Sequence, residues 1–196
     1  DRKIPIDNDI YLVNQFYSWT NSLVPNKFPS LDGDHPRMVI PFRDSNGDIF
    51  AYQGRAFGKE KPKYITIILD ETVPKIFGLD RVDSSRDIFI VEGPLDSLFI
   101  NNCIAVAQSD LRVPQYKTNS VLIPDNEPRN KQIVTQLERA IDDGYRVVVW
   151  PDYVRQKDIN DMILSGMDAV EIMDIIHTNT VSGLSAKVAL QEWKKI

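Results

Sequence analysis

The sequence predicts an α/β protein, a parallel sheet flanked by helices, preceded by a small, mainly antiparallel α+β lobe. Three observations predict it. Expected strands at 88–92, 104–107, 121–123 and 146–150 alternate with helical stretches, and that alternation builds a parallel sheet covered on both faces. Most of each segment is apolar, Ile88 to Val91 without a break, as strands buried on both sides are. Ahead of them, Ser45-Asn46-Gly47-Asp48 divides two β-rich segments, and Asn-Gly is a strong hairpin signal.

The lobe comes first. Apolar positions from Ile10 to Trp19 suit a short helix, and Pro25, Pro29, Pro36 and Asp32-Gly33-Asp34 mark a loop. His35 falls in that loop and reads as an ordinary loop residue. Met38 to Asp44 is a strand, with Pro41 pointing to an edge or a bulge. Ile49 to Arg55 returns from the hairpin. Tyr64 to Ile68 is a β-branched third strand. In the second part, Ile133, Val134, Leu137 and Ile141 line one face of a helix from Arg129 to Asp143, which Gly144 stops. Further helices are expected at 158–165, 169–177 and about 185–194. His177, near a helix end, suits the dipole there. The expected division is a lobe at 1–80, a sheet domain at 81–180 and a carboxyl-terminal helix at 181–196.

Composition narrows the function. The 196 residues are 42% hydrophobic and 26% charged, enough for one domain with a smaller lobe. No apolar run approaches the ~20 residues that span a bilayer, and Asp1-Arg2-Lys3-Ile4-Pro5 shows no signal-peptide pattern. A cytosolic protein is the expectation. One cysteine, Cys103, excludes an internal disulfide framework and a cysteine-based zinc site in these residues. The net charge of −5 argues against a protein that simply coats nucleic acid, though not against one that binds it locally. Residues 37–63 nevertheless carry six cationic side chains against three acidic ones, so a basic segment precedes an acidic remainder.

The chemistry concentrates in three acidic segments. Glu92 follows the apolar run Ile88-Phe89-Ile90-Val91 and precedes a Gly93-Pro94 turn, with proline at a first helical position that needs no N–H. Pro124-Asp125-Asn126-Glu127 follows the run at 121–123. Lys157-Asp158-Ile159-Asn160-Asp161 follows the run ending at Trp150. If the strands are parallel, all three lie at the carboxyl edge, where open α/β sheets bind ligands. Singly each has a plainer reading: a strand terminus, acids complementing a helix dipole, a helix cap. Jointly, carboxylates within ~4–6 Å repel, and a hard divalent cation removes the conflict. Asp125 and Glu127, two residues apart, share a side if the strand geometry persists. Asp96 reads as structural, orienting Glu92 or capping its helix.

Val91-Glu92-Gly93-Pro94-Leu95-Asp96-Ser97 followed by Asp125-Asn126-Glu127 resembles the TOPRIM domain: a glutamate after one strand, then Asp-x-Asp after a later one. Glu127 replaces the last aspartate of that pattern. Upstream, Arg37-Met38-Val39-Ile40-Pro41-Phe42-Arg43-Asp44, Gly54-Arg55, Pro62-Lys63-Tyr64 and Phe77-Gly78-Leu79 are similar in order to the amino-terminal lobe of DnaG-type primase cores. The compact form and Asp125-Asn126-Glu127-Pro128-Arg129-Asn130 look most like primases of large tailed phages. The resemblance implies RNA primer synthesis on single-stranded DNA from NTPs, a replicative helicase as partner, and a host-cytoplasmic location for a phage protein. It implies that Asp125 and Glu127 hold two Mg²⁺ (or Mn²⁺) ions, with Asp158 a further ligand. Glu92 then either shares a metal or serves as general base. Arg55, Lys63 and Lys61 become contacts for NTP phosphates or template, and Tyr52 and Tyr64 candidates for stacking on bases. A TOPRIM nuclease would use the same carboxylates, and a non-catalytic replisome adaptor would need none of them.

Overall fold

The computed structural model describes residues 3–5 and 9–196. They form two compact units: residues 9–80 make one, and residues 3–5 together with Arg81–Ile196 make the other.

The first unit is a four-stranded antiparallel sheet with one helix. Its elements are β1 (Tyr11–Val13), α1 (Phe16–Leu23), β2 (Arg37–Arg43), β3 (Ile49–Ala56) and β4 (Tyr64–Ile68), paired in the order β1-β2-β3-β4. The hairpin at 44–48 forms as expected. Asp44 Oδ1 accepts from the N–H groups of Asn46 (2.8 Å) and Asp48 (3.0 Å), and Gly47 takes a positive φ of 89°. Pro41 lies beyond the part of β2 that pairs with β1, and the register slips just after it, between Phe42 and Arg43. Its missing N–H therefore falls where β2 has one neighbour only.

The register places Val39, Tyr52, Gly54 and Ile67 on one face. Phe16 of α1 packs against that face in a cluster with Val39, Tyr52 and Ile67. The expected single helix over 10–19 is wrong at its start, because Tyr11–Val13 pairs with Val39, Met38 and Arg37 as a strand. Tyr11 and Leu12 are exposed, so their apolar character marks β propensity at a sheet edge, not a helix face.

The second unit carries the parallel sheet. Its elements are β5 (Ile88–Val91), α2 (Pro94–Ser97), β6 (Cys103–Ala105), β7 (Ser120–Leu122), α3 (Lys131–Asp142), β8 (Arg146–Val148), α4 (Ile159–Ser165), α5 (Ala169–Thr178), β9 (Thr180–Val181) and α6 (Gly183–Trp193). The order is β6-β5-β7-β8-β9; all pairs are parallel except the antiparallel β8–β9. All four residues of β5 are buried. Because successive side chains point to opposite faces, both faces of the sheet are covered there. The helices start where local chemistry dictates: Asn130, Asp158 and Asp168 each accept a backbone N–H in the first turn of α3, α4 and α5. Leu190 and Trp193 of α6 are buried and Ile196 is exposed, so the inner face of this helix is core.

Candidate active site

The parallel pairing of β5, β7 and β8 brings the three acidic segments to one edge, with the β7 loop between the other two. Glu92 follows β5 directly, and its carbonyl accepts the Ala107 N–H at 2.9 Å. Gly93 is the N-cap of the four-residue α2, and Pro94 sits at its start. A Cβ on Gly93 would lie 2.7 Å from Asp96 Oδ2, so glycine lets the aspartate close over this turn.

The β7 loop is fixed mainly by Asn126. Its backbone N–H donates to Lys157 O at 2.6 Å. Its side-chain amide donates to Val154 O (2.9 Å) and Gln156 O (3.2 Å), and its Oδ1 accepts from Trp193 Nε1 (3.1 Å). The Trp150 indole N–H donates to Pro124 O at 2.7 Å. With Asn126 turned towards α6 and the β8 loop, Asp125 and Glu127 meet on one ammonium: Lys157 Nζ is 3.5 Å from Asp125 Oδ2 and 3.3 Å from Glu127 Oε2.

Asp158 is the N-cap of α4, accepting the Asp161 N–H at 2.7 Å. Asp96 reaches across to that helix, its Oδ1 accepting the Asn160 N–H at 2.9 Å. The structural role expected for Asp96 therefore goes to α4, tying the Glu92 turn to the Asp158 turn. Sequence reasoning missed this link, the Asn126 anchor and the place of Lys157. The polar residue between two acids at 125–127 was the available signal for the anchor.

Electrostatics couple the acids. Burial pushes the Asp125 carboxyl up to about 7; Glu92 adds to the rise, Lys157 opposes it, and Asp158 and Glu127 add smaller amounts. Burial also raises Glu92, Lys157 offsets part of that, and Glu127 adds to it. Burial works against the Lys157 ammonium, yet Asp125 and Glu127 outweigh it and its pKa is raised. Beside Glu92 and Asp125 a narrow cleft of about 20 Å³ runs under Arg112, Gln136 and Leu137, room for about one water. Among the described residues no three His, Cys, Asp or Glu side chains are arranged to enclose a metal ion. The donor set is nonetheless all oxygen, with two carboxylates already sharing one cation. That suits a hard divalent ion, which takes one or two protein carboxylates and completes its shell with water and phosphate.

The basic candidates belong to the first unit. Arg55 is 6% exposed, donates from Nε to Tyr64 Oη at 3.1 Å and stands 5.7 Å from the Tyr64 ring centre. Lys63 Nζ lies 5.5 Å from the same ring, and Lys61 and Lys63 are both exposed. Tyr52 is packed in the core, which leaves Tyr64 the accessible ring of the two. Arg37, counted in the basic segment, is fully buried. It donates to Gly54 O (3.1 Å), Lys63 O (3.3 Å) and Pro62 O (2.9 Å), holding the β3–β4 end together.

No family model matches the chain. It is 38% identical over its whole length to the DNA primase of Enterobacteria phage T4, of which it spans 58%. Over 58% of its length it is 27% identical to the DNA primase of Thermotoga maritima, covering 23% of that protein. Among solved structures, the Aquifex aeolicus primase (zinc-binding and RNA polymerase domains) superposes with a TM-score of 0.66 at 19% identity, over 98% of this chain and 58% of that one. The RNA polymerase domain of Mycobacterium tuberculosis primase DnaG, in complex with a double-stranded DNA oligomer with an overhang, gives 0.66 at 15% identity, over 98% and 72%. The fold is therefore that of a DnaG-type primase catalytic core, and the sequence is similar from end to end to the DNA primase of Enterobacteria phage T4.

Proposed function

We propose that the chain is the catalytic core of a DNA primase, joining NTPs into short RNA primers on single-stranded DNA by nucleotidyl transfer. The observation that carries this reading is the meeting of Asp125 and Glu127 on one cation after β7, with Glu92 at the end of the adjacent parallel β5 and Asp158 in the loop after β8, in a chain similar throughout to a phage primase.

Asp125 and Glu127 are the residues that would hold Mg²⁺ or Mn²⁺, since one cation already meets both. A divalent ion held there supplies the positive charge that offsets charge developing on the transferred phosphate. Glu92 is half-buried, with its carboxyl pKa raised. It serves either as a second ligand or as the acceptor of the 3′-hydroxyl proton; a raised carboxyl pKa suits the second task. Asp158 caps α4 with one oxygen, leaving the other for a second ion. Lys61 and Lys63, both exposed, are assigned to phosphates of NTP or template; Arg55, buried and bonded to Tyr64 Oη, holds that ring in place instead of meeting a phosphate. A related DnaG catalytic domain has been solved bound to single-stranded DNA, which supports such a template here. A replicative helicase is the expected partner. Among the described residues no helix is long and apolar enough to cross a membrane.

Replacing Asp125 or Glu92 by alanine should cut nucleotide incorporation by roughly 10²–10⁴-fold, several kcal/mol of charge stabilisation at about 1.4 kcal/mol per tenfold. The check is labelled-NTP incorporation on a single-stranded template, with far-UV circular dichroism to show that the variants fold. Near-wild-type incorporation by folded Asp125→Ala protein would remove the assignment.

A further inference from the structure

Lys157 is the cation that the fold itself places among these acids. Its backbone is pinned, its carbonyl accepting the Asn126 N–H at 2.6 Å one residue before the Asp158 cap. Its head is less constrained. The Lys157 side chain is 51% exposed, against 21% for Asp125 and 34% for Glu127. An anchored base and a flexible four-carbon stem let the ammonium reach the carboxylates or withdraw into water without moving the main chain.

We propose that Lys157 is a built-in counter-ion that holds Asp125 and Glu127 together and competes with a divalent cation for them. The inference rests on the reading of those two acids as divalent-ion ligands. Its physical basis is charge. Without the ammonium, two converging carboxylates repel each other. A divalent ion held by Asp125 and Glu127 would draw on the same two carboxylates as the ammonium, and two cations gathered on one carboxylate pair repel. Lysine and divalent ion therefore exclude one another, and the observed ion affinity is the difference between two attractions. A half-exposed ion pair holds weakly, so the lysine tunes the affinity by a modest factor and does not block the site.

Isothermal titration of the protein with Mn²⁺, without nucleotide or DNA, tests this. Lys157→Met keeps the stem and removes the charge; Lys157→Gln keeps a hydrogen-bonding head; Lys157→Arg keeps the charge. Lys157→Met and Lys157→Gln should bind Mn²⁺ about three- to tenfold more tightly than wild type, and Lys157→Arg should not gain. In EDTA the uncharged variants should melt below wild type, and Mn²⁺ should raise their melting temperature more. Unchanged or weaker Mn²⁺ binding by both uncharged variants, beside a wild type that binds, overturns the competition alone. Absence of Mn²⁺ binding in every variant and in wild type overturns the ligand reading of Asp125 and Glu127 along with it.

Discussion

Single residues here divide between those that act on a ligand and those that aim them, and Asn126 is the clearest of the second kind. It sits between two acids, yet its amide and backbone make four hydrogen bonds, to Val154, Gln156, Lys157 and Trp193. Asn126→Ala should lower stability by about 1–3 kcal/mol, because partners are left unsatisfied as well as a bond lost, and urea titration measures it. Activity should fall too, since Asp125 and Glu127 lose their shared anchor. Trp193→Phe, which removes that N–H and part of a buried ring, should cost about 2–3 kcal/mol. Cys103 is a contrasting case. It is 4% exposed on β6 and burial drives its thiol far above the ordinary range. A thiol reagent at pH 8 should therefore label it only after denaturant is added; labelling at native rates comparable to the unfolded chain would contradict its placement.

Element by element, legibility tracked how much each segment declares locally. The strands β5 to β8 were readable because burial forces runs of apolar residues there, and the hairpin because Asn46-Gly47 supplies its own turn chemistry. β1 and β9 were not readable. They are three and two residues long, and each exists only because a neighbouring strand, β2 or β8, offers a free edge. No local pattern encodes that. The close approach of α1 to its sheet was equally hidden: a Cβ on Gly54 would collide with the Phe16 ring. Gly54→Ala should cost about 1–3 kcal/mol in thermal or chemical denaturation.

The turn after β6 adds a pH signature. Arg112 is forked between Asp110 and Asp143, at 2.6 Å from each, and its hydrogen bonds hold the Asp110 carboxyl below the usual carboxylate range. The sign follows from linkage. That stabilisation is complete above the unfolded value near 3.9 and is lost as pH falls through the lower folded value. Arg112→Ala should flatten the acid limb of the stability curve below about pH 4 and leave the slope at neutral pH unchanged.

For the whole molecule, the sequence shows acidic residues following strands and does not supply their geometry. Glu92, Asp125 and Asp158 were legible as strand-end acids at 33-residue intervals, and parallel pairing of β5, β7 and β8 puts all three at one edge. Lys157 stayed hidden because its meaning is tertiary: only the folded β8 loop sets its ammonium against both Asp125 and Glu127. Arg37 misled for the same reason, a cation that is part of the core and not of a surface. The central claim, that these carboxylates build RNA on a DNA template, meets its most direct test in product sizing. The protein is incubated with single-stranded DNA, NTPs and Mg²⁺ or Mn²⁺, and the products are resolved on a denaturing gel. New short RNA that disappears with Asp125→Ala is the predicted result; shortened DNA with no RNA, or RNA that persists at wild-type levels in Asp125→Ala, would contradict it.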